Sequence, residues 1–216
     1  MRRKYIAGLA LVGALTICGG VSANAGTVFS DNFNSENGGS GALNYTGFAN
    51  WNVGSYTGSP AGQGPVIGNS GSVDLIGNGF YNFYPGNGLY VDLDGSTGNA
   101  GILTSKMTFG PGTYVISFDL GGNDRSAPDN NVTVTLGSWS QNFFVPNNQP
   151  LELVTETITT IGSGSLSFHN WGGNNQGAIL DNVSVATRGA VPEPTTMVLF
   201  GTGLLGLAGF ARRKKA

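Results

Sequence analysis

Apolar residues in this chain recur at every second position, in short runs cut off by Gly, Asn and Pro. In Thr113-Tyr114-Val115-Ile116-Ser117-Phe118-Asp119-Leu120, the residues Tyr114, Ile116, Phe118 and Leu120 fall on one side. Side chains of an extended backbone alternate between two faces, so this spacing predicts a strand with one buried face; a helix would need a period of 3.6. Pro111-Gly112 before the run and Gly121-Gly122-Asn123-Asp124 after it supply turn chemistry. Residues 131–136 repeat the pattern, with Val132, Val134 and Leu136 inward. Further strands are predicted over residues 27–33, 50–53, 72–76, 89–93, 101–109, 140–145, 152–161, 165–170 and 178–186. Between the chain ends there is neither an amphipathic helical stripe nor a fixed-period repeat. Strands buried on one face need a second sheet to pack on. The chain is therefore predicted to be all-β, a two-sheet antiparallel β-sandwich with a jelly roll as the preferred topology.

The two ends follow different rules. Met1-Arg2-Arg3-Lys4 precedes an apolar run over residues 5–21, and Ser22-Ala23-Asn24-Ala25 follows it. A charged start, a short apolar middle and small residues at Ala23 and Ala25 form a secretory signal, cut by signal peptidase before Gly26. At the other end, Val191-Pro192-Glu193-Pro194 precedes an apolar stretch over residues 195–211, and then Arg212-Arg213-Lys214-Lys215. At ~1.5 Å per residue this stretch makes a helix slightly shorter than the ~30 Å hydrocarbon core. It spans a membrane if its basic flank snorkels. Both basic clusters stay cytoplasmic by the positive-inside rule, and everything between them lies outside. The prolines hold the tetrapeptide extended and open to a processing enzyme.

This last arrangement resembles the PEP-CTERM sorting domain. The resemblance covers the final 26 or so residues. It implies handling by an exosortase-type protease-transpeptidase in a Gram-negative, exopolysaccharide-making bacterium, with the tail removed on the way to the cell surface or extracellular matrix. It implies no biochemical activity for the rest of the chain. The expected organisation is a signal peptide over 1–25, a β-sandwich domain over 26–190 and a sorting tail over 191–216. Within the tail the motif is 191–194, a single transmembrane helix 195–211 and a basic end 212–216.

Charge and residue usage exclude several functions for the central domain. The targeting ends hold seven of the ten Lys and Arg, leaving Lys106, Arg125 and Arg188 against eleven Asp and Glu, a net charge of −8. Nucleic acid is not an expected partner of such a surface. The one cysteine, Cys18, leaves with the signal peptide, so no disulfide, thiolate metal site or cysteine nucleophile is available. His169 is the one histidine and there is no Gly-x-Ser-x-Gly elbow, which disfavours histidine metal clusters and a serine triad. Glu152 and Glu156 lie four apart on one strand, ~13 Å, too far within that strand for the paired carboxylates of a glycosidase, which leaves cross-strand pairs such as Asp119 with Asp92. No catalytic residue is assigned.

Tyr90-Val91-Asp92-Leu93-Asp94-Gly95, Gly112-Thr113-Tyr114, Ser167-Phe168-His169-Asn170 and Leu180-Asp181-Asn182-Val183-Ser184-Val185 together resemble jelly-roll domains of the galactose-binding-like and carbohydrate-binding-module type. The resemblance implies a glycan-binding, non-enzymatic module in an exopolysaccharide or biofilm matrix. Flat rings pack on the apolar face of a pyranose, and Trp51, Tyr81, Trp139 and Trp171 are the candidate rings, with asparagine amides nearby to read hydroxyls. It also implies a structural Ca²⁺ at Asp181, which the alternation Ile179-Asp181-Val183-Val185 places on a core-facing side; Asp31 approaches it if the first and last strands are neighbours. The expected N-terminal Gly-Glu ligand pair is missing. Asp92-x-Asp94-Gly95 lacks the Glu of an EF-hand loop, having Leu103 at position 12, and reads as a solvated acidic face. A secreted polysaccharide hydrolase or lyase and a protein-binding adhesin are the alternative functions.

Overall fold

The computed structural model describes residues 26–54, 71–97, 99–125 and 128–188, which belong to one compact unit, Ala25–Arg188. The predicted signal peptide and sorting tail lie outside the described residues. Among the described residues eleven strands form: β1 (Gly26–Asp31), β2 (Trp51–Gly54), β3 (Asp74–Gly77), β4 (Leu89–Asp92), β5 (Ile102–Phe109), β6 (Gly112–Gly121), β7 (Asn130–Leu136), β8 (Trp139–Val145), β9 (Glu152–Thr160), β10 (Gly164–Asn170) and β11 (Ile179–Thr187). Each overlaps a strand read from the alternation, with ends shifted by a residue or two.

One sheet has the order β3-β4-β11-β6-β9, with β1 also pairing β11; the other has the order β2-β5-β10-β7-β8. Every pairing between named strands is antiparallel. The chain changes sheet at nearly every connection, staying within one only at the β3–β4 and β7–β8 hairpins. That is the jelly-roll manner of closing a sandwich. Tyr114, Ile116, Phe118, Leu120, Val132, Val134 and Leu136 all point into the core between the sheets, as their spacing predicts.

Two features put polar groups where simple alternation would not. A register shift against β6 between Asp181 and Ser184, with Asn182 at φ 48°, makes a bulge in β11. Leu180, Val183 and Val185 join the main core, whereas Ile179 joins a small second cluster with Ile76 and Tyr90. Asp181 therefore aligns with Asp119 of β6 and does not share the face of Val183 and Val185. The expectation of a core-facing Asp181 is corrected: the extra residue at the bulge inverts the alternation beyond it. The second cluster lies on the outer side of β3 and β4, where Phe83, Tyr84 and Leu151 pack over it. The β3–β4 connection thus folds back over its own strands and creates a covered surface beside the sheet.

Candidate functional site

Beside that second cluster, Leu43, Ile76, Tyr81, Phe83, Arg125 and Asn175 surround a hollow of about 180 Å³ whose polar wall includes Asp74, Asp92 and Ser96. Asp74 and Asp92 stand opposite each other on β3 and β4. Tyr81 and Phe83 come from the β3–β4 connection, Arg125 follows β6, and Asn175 comes from the loop between β10 and β11.

Each charged group here is held. Asp92 is 1% exposed, and its Oδ2 lies 2.6 Å from Arg125 Nη2. Its Oδ1 accepts from the amides of Asp94 (3.0 Å) and Gly177 (2.8 Å). Burial raises the Asp92 carboxyl above the ordinary range, while those amides and Arg125 pull it down. Asp74 Oδ1 accepts from the amides of Asn44 (2.6 Å) and Ser96 (3.1 Å), and Oδ2 from Ser96 Oγ (2.7 Å). The Arg125 guanidinium lies 5.1 Å from the Phe83 ring centroid, a cation–π contact. Asn123 Oδ1 accepts from the Arg125 amide at 3.0 Å and fixes the turn that delivers it.

The reading of Asp92 and Asp94 as a solvated acidic face is corrected by the same geometry. Asp94 is wholly buried, and its Oδ2 accepts from the Asn174 amide at 3.0 Å. Burial raises its carboxyl, and the amides of Asn174, Gln176, Gly173 and Asn175 oppose that rise. The two aspartates are internal anchors for a loop about eighty residues downstream. Glycine at 172 and 177 lets the loop come this close: a Cβ at Gly172 would lie 2.6 Å from Asp94 Oδ2, and one at Gly177 would lie 2.5 Å from Asp92 Oδ1.

The four candidate rings do not gather. Trp51 has no exposed surface; it packs against Phe29, Phe33 and Phe168, and its Nε1 donates to Asp31 Oδ2 at 2.9 Å. It presents no face to a sugar, because β2, an edge strand of its sheet, turns this side chain into the core. Trp139 is half-buried at the start of β8 and packs against the same core. Trp171 is half-buried beyond β10, donates from Nε1 to Thr133 Oγ1 at 2.6 Å and stands edge-on to His169. Burial lowers His169 to about 4, so the ring is neutral at ordinary pH. Tyr81 alone among the four lines the hollow, 53% exposed. Its φ of 47° puts a bulky aromatic in the left-handed region, a strained backbone that costs about 1–3 kcal/mol and tends to mark functional positions.

Sequence reasoning missed Arg125 and Asp74, whereas Phe83 belongs to the ring-bearing run Phe80-Tyr81-Asn82-Phe83-Tyr84 that the sequence singles out. A signal existed for Arg125: it is one of only three cations in an acidic domain and follows Asn123-Asp124 in a turn. Asp74 carried none.

Asp31 and Asp181 do come near each other, since β1 pairs with β11 and Asp31 aligns with Val183. Asp181 is fully buried; its Oδ1 accepts from the Asn182 amide, and its Oδ2 has no hydrogen-bond partner. Burial, then Asp119, then Asp31 push its carboxyl up to about 7. A buried, unpartnered carboxylate oxygen next to further negative charge fits a cation. Asp31 is already occupied by the Phe33 amide, Asn50 Nδ2 and Trp51 Nε1, and no group of three or more acidic, His or Cys side chains converges among the described residues.

Residues 190–215 match the PEP-CTERM protein-sorting motif. That motif marks an exported protein sorted to the cell surface by exosortase-type processing. No match to a curated protein was found. Among solved structures the chain is similar to the CBM22-1 xylan-binding domain of Paenibacillus barcinonensis Xyn10C, with 13% identity over 79% of this chain and 99% of that one and a TM-score of 0.39. It is similar to TmCBM61, solved with β-1,4-galactotriose, with 16% identity over 65% and 90% and a TM-score of 0.39. It is also similar to a family 35 carbohydrate-binding module from Clostridium thermocellum, with 12% identity over 68% and 97% and a TM-score of 0.33.

Proposed function

We propose that the sandwich domain is a non-catalytic glycan-binding module, sorted to the surface of a Gram-negative bacterium and acting in its exopolysaccharide matrix. The observation that carries this reading is Tyr81, an exposed ring held in a strained conformation at the mouth of a hollow lined by carboxylates, a guanidinium and an amide. A ring to stack on, with fixed polar groups beside it, is what recognition of a pyranose requires. The hollow lined by Asp31, Asn32, Asn50 and Asn182 is larger, about 370 Å³, but contains no aromatic ring.

Tyr81→Gly separates binding from folding. Glycine relieves the positive φ, so the melting temperature is expected to stay level or rise slightly, while affinity for a bound glycan falls at least tenfold. Calorimetric titration of both proteins with a sugar identified on a glycan array makes the comparison. An unchanged affinity removes Tyr81 from the site, and an array without hits favours the adhesin reading.

Export and removal of the tail have a separate check. The protein recovered from its host's envelope and medium is expected to begin at Gly26 and end near residues 191–194 by intact mass. A product retaining residues 212–215 contradicts exosortase-type release and leaves a membrane-anchored protein.

The second part of the proposal is a structural Ca²⁺ at Asp181, with Asp31 adding negative charge from its hydrogen-bonded position. Without a cation, the folded chain keeps the Asp181 proton up to about pH 7, while the unfolded carboxyl releases it near pH 4. At Asp181 the folded protein therefore binds more protons between those values, and the stability that this group contributes falls as pH rises from about 4 to about 7. Calcium replaces the proton and is expected to raise the melting temperature at pH 7.5 by several degrees. Asp181→Asn should stabilise the chelated protein at that pH and abolish the calcium response. Identical melting curves with calcium and with chelator would reject the site.

A further inference from the structure

β9 is the last strand of its sheet and, among the described residues, pairs with β6 alone. An open strand edge offers unpaired amides and carbonyls to any other strand. Folded proteins ordinarily blunt it by keeping the strand short, by Lys, Pro or a bulge, or by a covering loop. β2 and β3 are four residues long, and the backbone of Ala42 bonds to Leu75 of β3. β8 has seven residues and stops at Pro146. β9 has nine, contains no Lys, Arg, Gly or Pro, and pairs with β6 along its whole length without a register shift. Its far edge stays straight and open. We infer that this edge binds a second copy of the chain: two β9 strands pair antiparallel about Thr157 and join their sheets across a twofold axis.

The sequence of the strand is self-complementary about that point. Leu153, Thr155, Thr157 and Thr159 share the outer face, and Ile161 follows directly after the strand. In an antiparallel pair centred on Thr157, that residue faces its own copy and Thr155 faces the partner's Thr159. Leu153 then comes beside the partner's Ile161, twice over. Leu153 is 70% exposed and Ile161 85%, the two most exposed large apolar side chains among the described residues. Threonine pairs and apolar pairs directly across two strands are both favourable.

Charge selects the same place and the same register. With three cations against eleven carboxylates in the domain, two copies repel unless they meet where carboxylates are absent or held. On the outer face, Thr159, Thr157 and Thr155 stand beside Thr113, Val115 and Ser117 of β6, an uncharged surface. The acidic residues of β9 are Glu152 and Glu156, and Glu156 Oε1 accepts from Gln141 Nε2 at 3.0 Å. Centred on Thr157, Glu156 opposes the partner's Ile158, and Glu152 comes beside the partner's Gly162. Centred on Glu156, the pair would set two carboxylates directly opposite each other.

Sedimentation equilibrium of the protein recovered from its host tests the pairing, with Thr157→Lys beside wild type. One strand pair is a small interface, so wild type is expected to dimerise with a Kd of roughly 1–100 μM. Thr157→Lys sets two ammonium groups face to face on the axis and should weaken the dimer at least tenfold. Lysine suits an exposed edge strand, so the circular dichroism spectrum is expected to stay the same. The domain has no cysteine of its own, which gives a second measurement that does not depend on this variant. Thr157→Cys alone should form a disulfide-linked dimer under mild oxidation. Thr155→Cys mixed with Thr159→Cys should crosslink far faster than either does with itself. Wild type that stays monomeric at about 1 mM overturns the inference, as does a dimer that survives Thr157→Lys or crosslinking that does not follow this register. Nothing in this pairing depends on what the Tyr81 hollow binds, so either can fail alone.

Discussion

Trp51→Ala is expected to destabilise the domain by about 4 kcal/mol, lowering the melting temperature by about 10 °C, without altering sugar affinity in the fraction that stays folded. The side chain has no exposed surface and fills the space between Phe29, Phe33 and Phe168, so its removal leaves a cavity that a tightly packed interior closes only in part. It also strips Asp31 of the Nε1 donor at 2.9 Å. Trp51→Phe keeps much of the volume and loses the donor, and should fall between wild type and alanine. Trp51 stands on β2, in the sheet opposite the one that floors the Tyr81 hollow. Chemical denaturation of the three proteins, each with a sugar titration, distinguishes the roles. A loss of sugar binding with little loss of stability would return Trp51 to the ligand site and contradict its burial.

Asp94→Ala should cost about 3 kcal/mol and also weaken sugar binding. The carboxylate is the anchor against which the loop carrying Asn174 and Asn175 folds, and without it several amides lose their electrostatic partner inside the protein. The loop opens, Asn175 leaves the wall of the hollow, and the Gly177 contact to Asp92 is disturbed. Gly177→Ala should act in the same direction from the other side, because its methyl group would press on Asp92 and on the Asp94 amide. Hydrogen exchange at residues 172–177 reads the loop directly: Asp94→Ala should speed it while the amides of β6 stay protected. Protection unchanged in that loop would mean the anchor is elsewhere.

The secondary structure was open to reading because alternation is local. Whether Ile116 and Phe118 face the same way depends only on their spacing, and the turn residues on either side of each run stop a strand wherever the chain continues. Eleven strands could therefore be located from short windows, and two sheets followed from the need to cover one face of each. The sorting tail is readable for a similar reason: three adjacent parts in fixed order carry the whole signal, and residues 190–215 match it.

The site was not readable in that way, because it is assembled from residues far apart in the chain. Trp51 and Tyr81 are both aromatic residues near Asn and Gly; only the packing of two sheets puts one in the core and the other on a rim. Asp92 and Asp94 have the spacing of an exposed acidic strand. They are buried because a glycine-rich loop and Arg125 return to meet them. Asp181 is turned by a bulge that its own sequence marks only as Asp-Asn, and the direction of a bulge is set by the strand it pairs with. The sequence by itself determined which segments are strands, where they turn and how the chain is addressed. Tertiary structure alone decided which carboxylates are buried, which ring is exposed and which loops enclose the hollow, since those depend on contacts between segments that no local pattern records.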